Sequence, residues 1–307
     1  MKNLGKIFDP QDYGLSYSQS PQTLIFPEFI RIYFSTRRLD SSGKSISYVK
    51  YVDFDKEFKH ILKVSKHDVL GPGGLGCFDE HGIFPLNIVK VCSDVIFGYT
   101  NGISRRSSVA VETGIGFVES YDDGETFERK GNGPILSATI NEPFMVGDPF
   151  VKYLDDFHMW YIFGKEWKNS PEGTPERIYK IGHTSSHNWY DWGKKEEGIQ
   201  IIPDKLGPNE CQALPSVIYF DNMYRMLFCY RDAFGFREGK ENSYKLGYAH
   251  SYDLKTWKRD DNWIKLETSD WDSDMQCYPH IFELDGKMYL LYNGNEFGKY
   301  GFGLIEL

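Results

Sequence analysis

The sequence predicts an all-β chain folded as a five-bladed β-propeller, its fifth blade closed by the N-terminal strand. Three observations carry this. Prolines that open an apolar stretch stand at Pro21, Pro85, Pro149, Pro215 and Pro279, separated by 64, 64, 66 and 64 residues. The second half of the repeats carries its own echo, Gly116 with Ser120 and Phe127, Gly182 with Ser186 and Trp192, Gly247 with Ser251 and Trp257. No helical periodicity separates these segments, and a fivefold repeat of short strands removes its exposed edges only by closing into a ring.

Each element follows from the repeat. Pro149-Phe150-Val151-Lys152-Tyr153 leads through a turn at Asp155-Asp156 to His158-Met159-Trp160-Tyr161-Ile162-Phe163, and Pro279-His280-Ile281-Phe282-Glu283 leads through Asp285-Gly286 to Met288-Tyr289-Leu290-Leu291-Tyr292. Both read as hairpins. The echoed second halves imply a third strand, a polar turn and a fourth strand. The last repeat ends early, because Gly301 to Leu307 matches a third strand only. Leu4-Gly5-Lys6-Ile7-Phe8 resembles the residues after Trp192 and Trp257, so the missing strand is expected from the N-terminus. No proline- or serine-rich linker interrupts the pattern, and residues 1–307 are expected to form one propeller domain.

Composition bounds the function. With 307 residues, 40% hydrophobic and 16% aromatic, the chain can bury a large core, which excludes disorder and a disulfide-stapled miniprotein. The 44 acidic and 35 basic residues leave a net charge of -9 with no segregated basic stripe, so no nucleic-acid partner is expected. No apolar run approaches a membrane span, and Met1-Lys2-Asn3-Leu4-Gly5 lacks the apolar stretch of a signal peptide. A cytoplasmic protein is expected. Its five cysteines are never spaced C-x-x-C and read as free thiols, with no zinc site, metal or cofactor indicated.

In a propeller the first strand of each blade lines the central channel, so residues just before each proline meet residues just after each second strand. Sixteen positions beyond each proline stand Arg37, Asn101, Lys165, Arg231 and Asn295, a polar or basic residue per blade. They are expected to ring one face and to bind substrate, although a strand end that reaches water is also simply polar. The segments ahead of the prolines supply acids to that face: Asp79, Glu142 and Asp148, Glu210, then Asp272 and Asp274. Glu210 and Asp274 both stand five residues before their proline. Carboxylates that converge on a partly dry channel mouth repel one another, and one of them is expected to hold its proton as a general acid, which is glycosidase chemistry. Asp272 and Glu142 read more simply as turn or cap residues. Glu210, beside apolar Cys211-Gln212-Ala213-Leu214, has less obvious local use. Most aromatic residues belong to blade packing, while Trp167 and Tyr278 lie in loop positions from which a ring can stack on a sugar. Ser120-Tyr121-Asp122-Asp123-Gly124-Glu125-Thr126-Phe127 looks like the aspartate box of sialidase propellers, a structural turn.

These residues resemble the five-bladed propeller glycosidases, glycoside hydrolase families 43, 32 and 130. Gly147-Asp148-Pro149 resembles the Arg-Asp-Pro element that holds the transition-state stabilising aspartate in family 32. Glu210-Cys211, 62 residues later, resembles its Glu-Cys element with the acid/base. Those families place a third carboxylate in an Asp-Pro about two blades earlier, and here that position reads Ser18-Gln19-Ser20-Pro21. The chain also looks like uncharacterised propeller proteins of bacterial surface-polysaccharide gene clusters, which share Phe78-Asp79-x-x-Gly82 and Trp271-Asp272-Ser273-Asp274. The resemblance implies a glycoside hydrolase-like enzyme with Glu210 as acid and Asp79 or Asp274 as base or nucleophile, beside Asp148. Its ligand is a carbohydrate, sugar phosphate or nucleotide sugar. The single-acid logic of family 130 implies instead a phosphorylase or a glycosyltransferase of polysaccharide metabolism. A third reading is a non-catalytic carbohydrate-binding propeller.

Overall fold

Five antiparallel sheets follow one another around a ring, in a computed structural model that describes residues 1–92, 94–193 and 196–307. Strand β1 (Lys2–Phe8) comes first and belongs to the last sheet. Blade one is β2 (Gln19–Ile25), β3 (Ile30–Leu39), β4 (Ser45–Phe54) and β5 (Ile61–Val64). Blade two is β6 (Ile83–Lys90), β7 (Ile96–Arg105), β8 (Val111–Ser120) and β9 (Glu128–Arg129). Blade three shows three strands among the described residues, β10 (Val146–Tyr153), β11 (Phe157–Asn169) and β12 (Pro175–Ser186). Blade four is β13 (Glu210–Phe220), β14 (Met223–Asp232), β15 (Lys245–Ser251) and β16 (Lys258–Arg259). Blade five is β17 (Cys277–Leu284), β18 (Lys287–Asn293) and β19 (Phe302–Glu306), with β1 on its outer edge.

The fifth sheet is stitched by pairing Lys2 with Glu306 and Phe8 with Phe302. Phe8 then stacks on Phe302, ring centroids 5.1 Å apart, and reaches Phe34 of blade one at 5.2 Å. The same residue that completes blade five therefore packs it onto blade one. Five apolar clusters make the core, and each lies mainly between two neighbouring blades. Phe97 and Tyr99 meet Met159 and Phe163 between blades two and three, for example, and Leu227 and Tyr248 meet Leu290 and Tyr292 between four and five. Such flat joints need large aromatic side chains on both faces of a sheet, which accounts for the aromatic content.

The outer turns also follow from their residues. Asp122 accepts from the Thr126 backbone N–H at 3.0 Å and its hydroxyl at 2.6 Å, while Ser120 Oγ accepts from the Gly124 N–H at 2.9 Å. A Cβ on Gly124, whose φ is 76°, would collide with the Tyr33 hydroxyl of the neighbouring blade. The echo in blade four uses Asp253, which accepts backbone N–H groups from Lys255 and Thr256 at 2.9 and 2.7 Å. These donors hold its carboxyl down at about 2. Among the described residues no helix is long and apolar enough to cross a membrane, and the five cysteines are free thiols.

Candidate active site at the centre of the ring

Every innermost strand breaks its ladder at the repeat proline. The register shifts between Gln19 and Gln22, Ile83 and Leu86, Gly147 and Phe150, Ala213 and Ser216, and Cys277 and His280. Proline lacks the N–H that the ladder needs, and the extra residue of a bulge is re-aimed out of the sheet. The re-aimed residues are Ser20, Phe84, Asp148, Leu214 and Tyr278. Four of them take left-handed φ values, 52°, 47°, 49° and 56° for Ser20, Asp148, Leu214 and Tyr278, while Phe84 joins Pro85 by a cis bond. Left-handed backbone at a non-glycine residue costs on the order of 1–3 kcal/mol and persists where the surrounding structure over-determines it.

Three of the five, Phe84, Asp148 and Tyr278, line a small cavity of about 110 Å³ with Asn101, Arg177 and Tyr179 among their neighbours. Asp148 is 6% exposed, and its two oxygens accept from Asn101 Nδ2 at 3.2 Å and from the Leu214 backbone N–H at 3.3 Å. Asn101 also donates to the Phe84 carbonyl at 2.6 Å, so one amide ties blade two to blade three. A Cβ at Gly147 would lie 2.7 Å from Asn101 Oδ1, so glycine leaves that amide its place beside Asp148. Burial pushes the Asp148 carboxyl up to about 7, against the opposing pull of the Arg177 charge and the two hydrogen bonds. Tyr278 meets Phe84 edge-on at 5.0 Å and Tyr244 at 5.7 Å, and the Tyr179 and Tyr244 hydroxyls lie 2.5 Å apart. The result is a carboxyl near its point of half-protonation, walled by aromatic rings and faced by a guanidinium.

The remaining predicted residues lie around this cavity rather than in it. Glu210 is 0% exposed, and its carboxyl accepts from Arg259 at 2.6 Å, Gln212 Nε2 at 2.9 Å and the Lys205 and Leu206 N–H groups at 2.8 Å each. Asp79 is clasped in the same way by Arg129, at 2.9 and 2.6 Å. Arg129 and Arg259 stand on the outermost strands of blades two and four, each 44 residues after its repeat proline. Glu142 and Asp272 are buried on tyrosine hydroxyls instead, Tyr161 at 2.8 Å and Tyr292 at 2.9 Å. Four blades thus carry a buried acid ahead of or at the start of the first strand, locked to their own outer or second strand. Asp274 is exposed, and Asn295 anchors its turn by accepting from the Asp274 and Met275 N–H groups at 2.9 and 3.0 Å. Lys165 is exposed. Arg231 is buried behind the cavity wall, 5.5 Å from the Tyr179 ring and 5.4 Å from that of Tyr244. Arg37 is half-buried over the Tyr17 ring at 4.7 Å.

Sequence reasoning missed Arg177, Thr113, Tyr179 and Tyr244, which reach the cavity from third strands or the segments entering them. A signal existed. Thr113 and Arg177 both stand 28 residues after their proline, an offset as regular as the one that marked Asn101.

No family model matches the chain. Two uncharacterized proteins of Mycobacterium tuberculosis, MT1551 and Rv1502, are each 32% identical to it over 317 residues, spanning 100% of this chain and 98% of theirs. Among solved structures, BT0996 in its RGII complex superposes with a TM-score of 0.75 at 16% identity, covering 99% of this chain and 91% of that one. The β-1,2-mannobiose phosphorylase from Listeria innocua, in complex with β-1,2-mannobiose, superposes with a TM-score of 0.67 at 12% identity, covering 95% and 90%. The GH43_1 enzyme from Xanthomonas citri complexed with xylotriose gives 0.64 at 14% identity, covering 99% and 89%. The propeller fold is common to all three.

Proposed function

The chain belongs to the family of the mycobacterial proteins MT1551 and Rv1502, and from the chemistry of its central cavity we propose that it is a glycosidase-like enzyme in which Asp148 donates a proton to a glycosidic oxygen. The observation that carries this is the placement of Asp148, the one carboxylate lining the cavity among the described residues, buried and held near half-protonation at neutral pH. A general acid works best when its pKa lies near the operating pH. As the anomeric carbon–oxygen bond breaks, the Asp148 proton moves to the leaving oxygen and positive charge develops on the sugar ring. The aromatic walls of Tyr278 and Tyr179 exclude water from that ring and present π-faces to it. Glu210 and Asp79, each clasped by an arginine, hold blades in place and support the cavity from outside it. This reading assigns the activation of a water to Asp274, which is exposed just ahead of β17 and does not itself line the cavity.

A second reading has one specific support. The cavity combines a single carboxylate with Arg177, which suits attack by a phosphate group rather than by water. Incubating the protein with aryl glycosides, oligosaccharides and nucleotide sugars, with and without phosphate, separates these outcomes. Free sugar is the expected product for hydrolysis and sugar 1-phosphate for phosphorolysis. Consumption of none of them, with a glycan still bound, would leave a binding propeller and end the enzymatic reading.

A further inference from the structure

The chain has 11 arginines, and eight of them stand within 3.7 Å of a carboxylate. Where the fold uses a largely buried arginine side chain structurally, it supplies the counter-charge, as for Arg31 with Asp53 and Arg259 with Glu210, and half-buried Arg129 has Asp79. Among the described residues the three exceptions are Arg37, Arg177 and Arg231: Arg177 lines the central cavity beside Asp148, Arg231 lies behind its Tyr179 and Tyr244 wall, and the Arg37 charge acts on Tyr278, another of its lining residues. The Arg177 guanidinium has no hydrogen bond and no ion pair among the described residues, only the Tyr179 ring at 5.8 Å. Arg37 likewise has only the Tyr17 ring, and it lies near Tyr278. Burial pushes the Tyr278 hydroxyl well above its ordinary value while the Arg37 charge pulls the other way. Arg231, 2% exposed, donates to the backbone carbonyls of Asp232 at 2.7 Å and Ala233 at 3.3 Å, and its Nε has no partner.

Arg231 is buried without a carboxylate and Arg37 and Arg177 are half-buried without one, an arrangement that an anionic group would complete. Asp148 does not, since no ion pair joins it to Arg177 and its burial favours the protonated form near neutrality. We propose that the cavity takes an anionic group of its carbohydrate ligand, a sugar carboxylate or a phosphate, with Arg177 and Arg37 as the groups that bind it and Arg231 supplying positive field from behind the tyrosine wall. The proposal rests on the carbohydrate reading above and narrows it to acidic or phosphorylated substrates. A guanidinium fork matches either oxyanion with two parallel N–H donors. Binding of such an anion also couples to Asp148. The two negative charges repel when the carboxyl is ionised, so anion affinity rises as the pH falls through about 7.

The test is a titration of the full chain at low ionic strength with glucuronate, galacturonate, inorganic phosphate and the neutral sugars glucose and galactose, repeated on Arg177→Met and Arg37→Met. Neither arginine has an ion pair among the described residues, so both variants are expected to melt close to the parent. At least one anion is expected to bind at least about tenfold more tightly than the neutral sugars, and Arg177→Met is expected to remove that margin while leaving neutral-sugar binding unchanged. A uronate that binds where phosphate does not marks a substrate carboxylate, and the reverse marks a phosphate site. Equal binding of neutral and anionic probes, or undiminished anion binding in both variants, overturns the proposal. Anion binding without turnover of any glycoside would remove the enzymatic reading and leave this one standing. Turnover of neutral glycosides as fast as acidic ones, with no effect of phosphate, would do the opposite.

Discussion

Asp148 concentrates the trade between stability and function in one side chain. Its carboxyl titrates at about 7 in the folded protein against 3.8 for the ordinary group, so the native state holds the proton longer than the unfolded chain does. The stability this contributes is fully present below about pH 4 and is lost as pH rises through 7, by up to about 4 kcal/mol. Asp148→Asn removes the ionisation, at the cost of about 1 kcal/mol for one of the two accepted hydrogen bonds. Thermal melts should therefore show the variant more stable than the parent at pH 8, with a flatter dependence between pH 4 and 8. A parent whose stability rises over that range would contradict the burial account. The catalytic consequence has the same sign, since a general acid must be protonated and turnover should fall as pH rises past about 7. Asp148 was legible in the sequence through Gly147-Asp148-Pro149. Its uncompensated neighbours were not, because only folding reveals that Arg177 lacks the carboxylate that eight other arginines have.

The elements were legible where the proline punctuates them, and their joints were not. Five innermost strands, their hairpins and the short third strand of the last repeat follow from spacing and turn residues. The clasp on Glu210 comes from Arg259, on a strand only two residues long and 49 positions away, too short for any periodic signal. Apolar neighbours suggested a carboxyl left alone in a dry strand, whereas the fold brings four donors to it. Removing one partner of a buried ion pair costs about 3–5 kcal/mol. Glu210→Gln should fall at the low end, because Arg259 keeps Asp261 at 3.0 Å. Urea unfolding should show a lower midpoint with an unchanged slope. A midpoint equal to that of the parent would mean that the clasp contributes nothing and would free Glu210 for chemistry.

At the scale of the whole molecule, five aromatic joints close a ring whose centre is a cavity built by the bulges of five strands. Closure depends on β1, so deleting residues 1–8 exposes the edge of β19 and removes Phe8 from the joint between blades five and one. Calorimetry should then show a lower melting temperature for the entire ring, since the lost joint borders both its first and last blades. An unchanged melting temperature would separate β1 from the stability of the propeller. The central claim is that the proton for glycosidic cleavage resides on Asp148 in the cavity and not on Glu210 outside it. The most direct measurement is kcat per folded molecule for Asp148→Asn and Glu210→Gln, side by side with the parent, on any glycoside or sugar phosphate the parent consumes with a poor leaving group. The account predicts a loss of about a hundredfold to ten-thousandfold for Asp148→Asn and a change of no more than about a few-fold for Glu210→Gln. The reverse pattern, with Asp148→Asn active and Glu210→Gln folded but inert, would contradict it.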